Sequence, residues 1–127
     1  SLLLGDMTIQ EKYIELIKSS LSIDHNSRRP FRDGYGYIFA CPFCGDLQKR
    51  QSKKDEKCAR FTPIANSFQW NFLCHRGLQG SKRTTPHCRS MRFDYFLKEW
   101  NPPLYRQYLR DKGTPPPKMN YTPKFDR

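Results

Sequence analysis

The chain has 127 residues, of which 36% are hydrophobic and ten are proline, so it suits one small domain with tails and little apolar area to bury. No apolar run approaches the roughly 20 residues needed to span a bilayer, which excludes a membrane role and leaves a soluble chain. The net charge of +11 calls for an acidic partner, of which nucleic acid is the commonest.

That charge is not evenly spread. Residues 1–40 carry five basic and five acidic side chains, residues 41–92 carry eleven and three, and residues 93–127 carry seven and four. The excess therefore sits on the segment that also holds the five cysteines. A core this small needs a staple. The odd cysteine count, the tight Cys41-Pro42-Phe43-Cys44 spacing and the lack of a secretory signal favour reduced thiols on a metal, in an intracellular setting, over disulfides.

In chain order, Met7 reads as a native start, and the preceding "SLLLGD" as a cloning remnant outside the fold. "TIQEKYIELIKSSL" follows, with Thr8 and Glu11 in a capping-box pattern and Ile9, Tyr13, Leu16, Ile17 and Leu21 at helical spacing, which predicts a short amphipathic helix packed on its neighbours. "DHNSRRPFRDG" reads as loop punctuated by Pro30 and Gly34. Asp24 and His25 lack the strand-strand-helix unit of an HNH nuclease around them, and that reading is set aside.

"YGYIFACPFCGD" carries an aromatic, β-branched strand into Cys41-x-x-Cys44-Gly45, the pattern of a zinc knuckle: two thiolates converge on one ion and glycine relieves the crowding behind them. After the basic run "KRQSKKDEK", "ARFTPIA" and "SFQWNFLC" predict two strands joined at Ala65-Asn66-Ser67, with Phe68, Trp70 and Phe72 on one face and Cys74 ending the second strand as a third ligand. His75 is disfavoured as the fourth, because adjacent side chains on an extended segment diverge. Cys58 reads as a free thiol. His87 and Cys88 in "TTPHCRS" both remain open, since loop closure over the intervening excursion adds only modest entropy.

"RFDYFLKEW" places Phe93, Phe96, Leu97 and Trp100 on one helical face. "NPPLYRQYLRDKG" restarts with Asn101 as cap, proline in the first turn and Gly113 as stop. The tail "GTPPPKMNYTPKFDR" is proline-rich and polar, and reads as a linker or disordered end. The expected class is α+β, a small zinc-ribbon sheet flanked by an N-terminal helix and two C-terminal helices. Its parts are an N-terminal helix and loop (1–34), the ribbon with basic insertions (35–92), the C-terminal helices (93–113) and the tail (114–127).

Taken together, "CPFCGD", the aromatic strand ending in cysteine, a last cysteine shortly before "FDYFLKEW", and "PPLYRQYLRDKG" resemble the N-terminal zinc-binding domain of the primases of T-even-like phages, over about residues 36–113. The resemblance selects Cys88 as the fourth ligand, beside Cys41, Cys44 and Cys74. The "HRGLQGSKRTTPH" insertion departs from the family's compact second Cys-x-x-Cys and keeps His87 as the alternative. It implies a structural zinc and a domain that recognises single-stranded DNA template beside a separate catalytic primase domain and a replicative helicase. Lys49, Arg50, Lys53, Lys54, Arg60, Arg76, Lys82, Arg83 and Arg89 would then hold the strand's backbone. Phe68, Trp70 or Phe72 would stack its bases, with two of these three expected in the core. The twelve carboxylates form no cluster able to hold two magnesium ions, so the chain alone is not expected to polymerise. Two other readings stand beside this one: a protein-interaction module of a replication complex, and a duplex-binding zinc ribbon of a transposase or transcription factor.

Overall fold

The computed structural model describes residues 8–113; the expected start at Met7 and the tail from residue 114 lie outside them. The first helix, α1 (Ile9–Ile17), begins at Thr8, whose hydroxyl accepts from the Glu11 N–H while the Glu11 carboxylate accepts from the Thr8 N–H. That reciprocal cap satisfies two of the four free amides of a helix start. The helix stops one turn short of the predicted Leu21. Ser22 turns into the left-handed region at φ 57°, and the Ile23 N–H closes on the Lys18 carbonyl at 2.8 Å, which tucks Leu21 and Ile23 into the core.

Five antiparallel strands follow in sequence order: β1 (Arg28–Phe31), β2 (Gly34–Phe39), β3 (Ala59–Pro63), β4 (Trp70–Cys74) and β5 (Met91–Arg92). Together with the helices they make an α+β fold. The first strand corrects the sequence reading, which placed residues 24–34 in a loop and began the ribbon at residue 35. Pro30 argued against a strand, but β1 is the sheet edge, where a residue without an N–H leaves no ladder bond unmade. Arg32 and Asp33 make the hairpin turn between Phe31 and its partner Gly34.

The register lines up Tyr37, Phe61, Phe72 and Met91 in one row and Phe39, Ala59 and Cys74 in the next, on the same face. Two helices follow as the periodicity predicts, α4 (Phe93–Trp100) and α5 (Pro102–Lys112), with the Asn101 side chain capping α5 at the Leu104 N–H. Phe96 stacks on Phe72 at 4.7 Å between ring centroids and meets Phe61 edge-on at 5.1 Å. Phe93 meets Phe61 at 5.5 Å. Helix α1 closes the same side. Tyr13 packs edge-on against Tyr108 at 5.3 Å, and the buried Gln10 amide donates to the Tyr108 hydroxyl while accepting from the Trp70 N–H. One polar side chain thus fastens helix α1 to helix α5 and to strand β4, with both ends of its amide used.

These helices cover one face of the sheet. Among the described residues the opposite face is bare: it carries Phe31, Ile38 and Leu73 with the cations Arg29, Arg60 and Arg92, and none of these is fully buried. Among the described residues no helix is long and apolar enough to cross a membrane.

Candidate metal centre and basic lobe

Three chain segments converge at one end of the sheet. The first leaves β2 through Ala40 and turns at Cys41–Cys44, closed by the Gly45 N–H on the Cys41 carbonyl at 3.0 Å; the amides of Phe43 and Cys44 point at the Cys41 sulfur. Hydrogen bonding with Cys44, together with burial, nevertheless pushes the Cys41 thiol up, with these N–H bonds acting against that rise. The second is the end of β4, where Cys74 stands on the buried face and caps a short helix, α3 (His75–Leu78). The third is the turn before β5, where the Cys88 sulfur lies 3.4 Å from the Thr85 N–H and 3.6 Å from the Thr85 hydroxyl.

The sulfurs of Cys41, Cys44, Cys74 and Cys88 all lie within 4.8 Å of one another, and all four residues are buried. Four convergent thiols with no disulfide among them fit a tetrahedral metal ion whose coordination the protein fills entirely. Hydrogen bonds from the Cys41, Cys58 and Cys74 thiols, joined by Arg76, hold Cys44 well below the ordinary thiol range. Hydrogen bonding with Cys41, Cys44 and Cys58, together with burial, pushes Cys74 up. Cys58 is buried at 3% exposure and touches Cys44 and Cys74, yet it stands outside the four-sulfur set.

Of the two neighbours, Cys88 and not His87 stands in the cluster. His87 points the other way: its Nε2 lies 2.8 Å from Glu99 Oε1 and its ring stacks on Phe43 at 4.6 Å. The long excursion between Cys74 and Cys88 is anchored at several points. Gln48, itself buried, donates to the Cys44 carbonyl at 3.0 Å and to the Arg83 carbonyl at 2.9 Å. Gly77 stands where a compact Cys-x-x-Cys would have its second thiol, and the Cys88 carbonyl fills the space a side chain there would need.

The predicted nucleic-acid residues divide. Lys49, Arg50, Lys53, Lys82, Arg83 and Arg89 are exposed, and Lys54 is partly so. The basic run holds a one-turn helix, α2 (Gln51–Lys54). Because Gln48 ties the Cys44 turn to Arg83, this run and the excursion form one basic lobe around the metal centre. Arg60 lies on the bare sheet face, half-buried, over the Phe31 ring at 5.5 Å.

Two members of the set are corrected. Arg76 is 6% exposed: it donates to the Lys53 carbonyl at 2.6 Å, to Glu56 at 3.1 Å and to the Cys44 sulfur at 3.4 Å, so its charge is spent inside the protein. Burial acts to raise Glu56, but Arg76 and Lys53 together hold it below the ordinary carboxylate range. Trp70, at 7% exposure, lies parallel to Tyr37 at 6.1 Å between centroids and keeps only a little surface, in a cleft beside helix α1. Phe72 is fully buried, as two of the three aromatics were expected to be, and Phe68 stands 80% exposed in the β3–β4 turn. Arg29, Arg92 and Phe31 were missed. They belong to strands the sequence reading did not recognise; a period-2 reading of "RRPF" would have set Arg29 and Phe31 on one face of their strand, and only the register across the sheet puts Arg92 on that same face.

Comparison with protein-family profiles, with characterised proteins and with solved structures returned no match.

Proposed function

We propose that the chain is a zinc-stapled module that binds single-stranded nucleic acid, serving as the template-recognition domain of a DNA primase. Zinc is the metal that suits four thiolates at tetrahedral spacing without redox chemistry, and with its coordination filled it is structural, holding in place segments that the small core cannot. Cys41, Cys44, Cys74 and Cys88 would hold it.

The observation that carries the reading is the meeting of two basic segments, far apart in sequence, on the metal centre: Gln48 bonds both the Cys44 turn and Arg83. Lys49, Arg50, Lys53 and Lys54 from one segment and Lys82 and Arg83 from the other then share a lobe, with Arg89 beyond it. Convergent cations on a rigid support favour phosphate neutralisation with counterion release. The chain's part is to hold the strand. Catalysis would belong to a separate primase domain, working beside a helicase. Competition between single strands and duplex of one sequence tests this: the zinc-loaded chain should prefer single strands. A duplex preference would favour the transposase or transcription-factor reading.

A second reading, a protein-docking module, draws support from exposed Tyr35 in a cleft of about 420 Å³ between α1 and the sheet, where Glu11, Glu15 and Arg28 offer both charges. Binding that ignores nucleic acid and follows a partner protein would put this reading first.

A further inference from the structure

We infer that the bare sheet face holds a nucleobase site, in which one unpaired base of the bound strand lies against Phe31. The inference rests on the single-strand reading above and locates where that strand is read, as distinct from where its phosphates are held.

A cavity of about 220 Å³ opens on this face, lined by Phe31, Arg60, Thr62, Pro63, Asn71 and Leu73, with Arg32 and Asp33 at the hairpin tip. Its floor is made by the sheet. At Gly36 a Cβ would stand 2.3 Å from the Phe61 carbonyl oxygen and 2.9 Å from the Phe31 ring, so the missing side chain is what lets Phe31 lie down over β2. Phe31 is only half-buried there and leaves ring surface for stacking. Arg60, whose guanidinium sits over the same ring, borders the cavity with a charge and a planar surface.

Asn71 and Thr62 supply hydrogen-bonding groups beside these apolar walls. The Asn71 amide nitrogen is committed to the Ser90 hydroxyl at 2.9 Å and the Phe72 carbonyl at 3.3 Å, which turns its oxygen into the group available to a ligand donor. An aromatic wall, an arginine and an amide acceptor around a small cavity match a base edge and face. The charge of the face matches the same ligand: Arg32 and Arg60 line the cavity against Asp33, and Arg29 and Arg92 stand on the same face of the sheet. A paired base keeps its faces in the duplex stack, so the occupant is single-stranded.

The test compares a short homopolymeric DNA strand with an abasic strand of equal length, which keeps the phosphates and lacks the bases. The zinc-loaded full chain should bind the base-bearing strand about tenfold more tightly, the scale of one stacked base. Phe31→Leu should bring that ratio near one while abasic binding stays as it was. The Asn71 side-chain amide signals should shift on titration with the base-bearing strand and stay still with the abasic one, a readout that needs no substitution. Equal binding of both strands, or an unchanged ratio in a folded Phe31→Leu chain, would overturn the base site and leave the nucleic-acid reading intact. Binding of neither strand would overturn both.

Discussion

Gly77 and Cys88 occupy one position between them: a Cβ on Gly77 would stand 1.6 Å from the Cys88 carbonyl oxygen, so the fourth thiol reaches the cluster only because the residue three places after Cys74 has no side chain. A compact second Cys-x-x-Cys would put a thiol at residue 77 itself. Here the glycine yields its place to a distant segment, and the excursion between them is free to carry Lys82 and Arg83 without losing a ligand.

Gly77→Ala should therefore weaken metal retention at least tenfold in a competition with a chelator, because Cys88 must back away from the cluster. Gly80→Asn is the matched control. Gly80 sits at φ 73° with nothing near its Cβ direction, a conformation asparagine tolerates, so metal retention should match the parent. Equal retention by Gly77→Ala and the parent would contradict the close approach.

Substitutions of the cysteines should sort by sulfur position. Cys88→Ser should release the metal and loosen the end of the sheet. His87→Ala should keep the metal and cost about 1–2 kcal/mol through the lost Glu99 bond and Phe43 stacking. Cys58→Ser should leave metal stoichiometry unchanged. Elemental analysis of the purified variants gives the answer, and metal loss in His87→Ala with retention in Cys88→Ser would reverse the assignment.

Arg76 and the exposed lysines should behave as opposites. Arg76→Gln removes bonds to the Lys53 carbonyl, Glu56 and the Cys44 sulfur, and should lower stability by about 1–3 kcal/mol, the cost of leaving buried acceptors unpaired. It should barely change the salt dependence of DNA binding. Thermal melts paired with binding isotherms would separate the two effects, and an unchanged melting temperature would return Arg76 to the surface set.

Trp70→Ala and Phe96→Ala should each cost about 3–5 kcal/mol, as large aromatic deletions in a packed core do. Phe68→Ala, at 80% exposure, should leave the melting temperature in place. A stable Trp70→Ala chain with weakened DNA binding would restore the tryptophan as a stacking platform.

Much of this fold is written locally. Thr8 with Glu11, Asn101 with the prolines after it, and the spacing of Phe93, Phe96, Leu97 and Trp100 each specify their helix within a few residues. Cys41, Cys44 and Cys74 announce a metal centre by their spacing and by the strand that ends in Cys74. Other features depend on contacts between distant parts. Pro30 is compatible with a strand only because that strand is the edge, which no local pattern reveals. Arg76 looks like its basic neighbours in sequence, and its burial follows from where Lys53, Glu56 and Cys44 come to rest in three dimensions. The base site needs Gly36 from one strand beneath Phe31 from another, and so has no linear signature.

The most direct measurement of the central claim is the salt dependence of single-strand binding by the metal-loaded chain and by a variant with Lys53, Lys54, Lys82 and Arg83 all changed to alanine. For the parent, the logarithm of affinity should fall linearly with the logarithm of salt concentration, by roughly 0.7 for each phosphate neutralised. The variant, still folded and metal-loaded, should bind more weakly and with a shallower slope. Parent-like affinity and slope in the variant would contradict the account, leaving the basic lobe a solvated surface and giving the protein-docking reading first place.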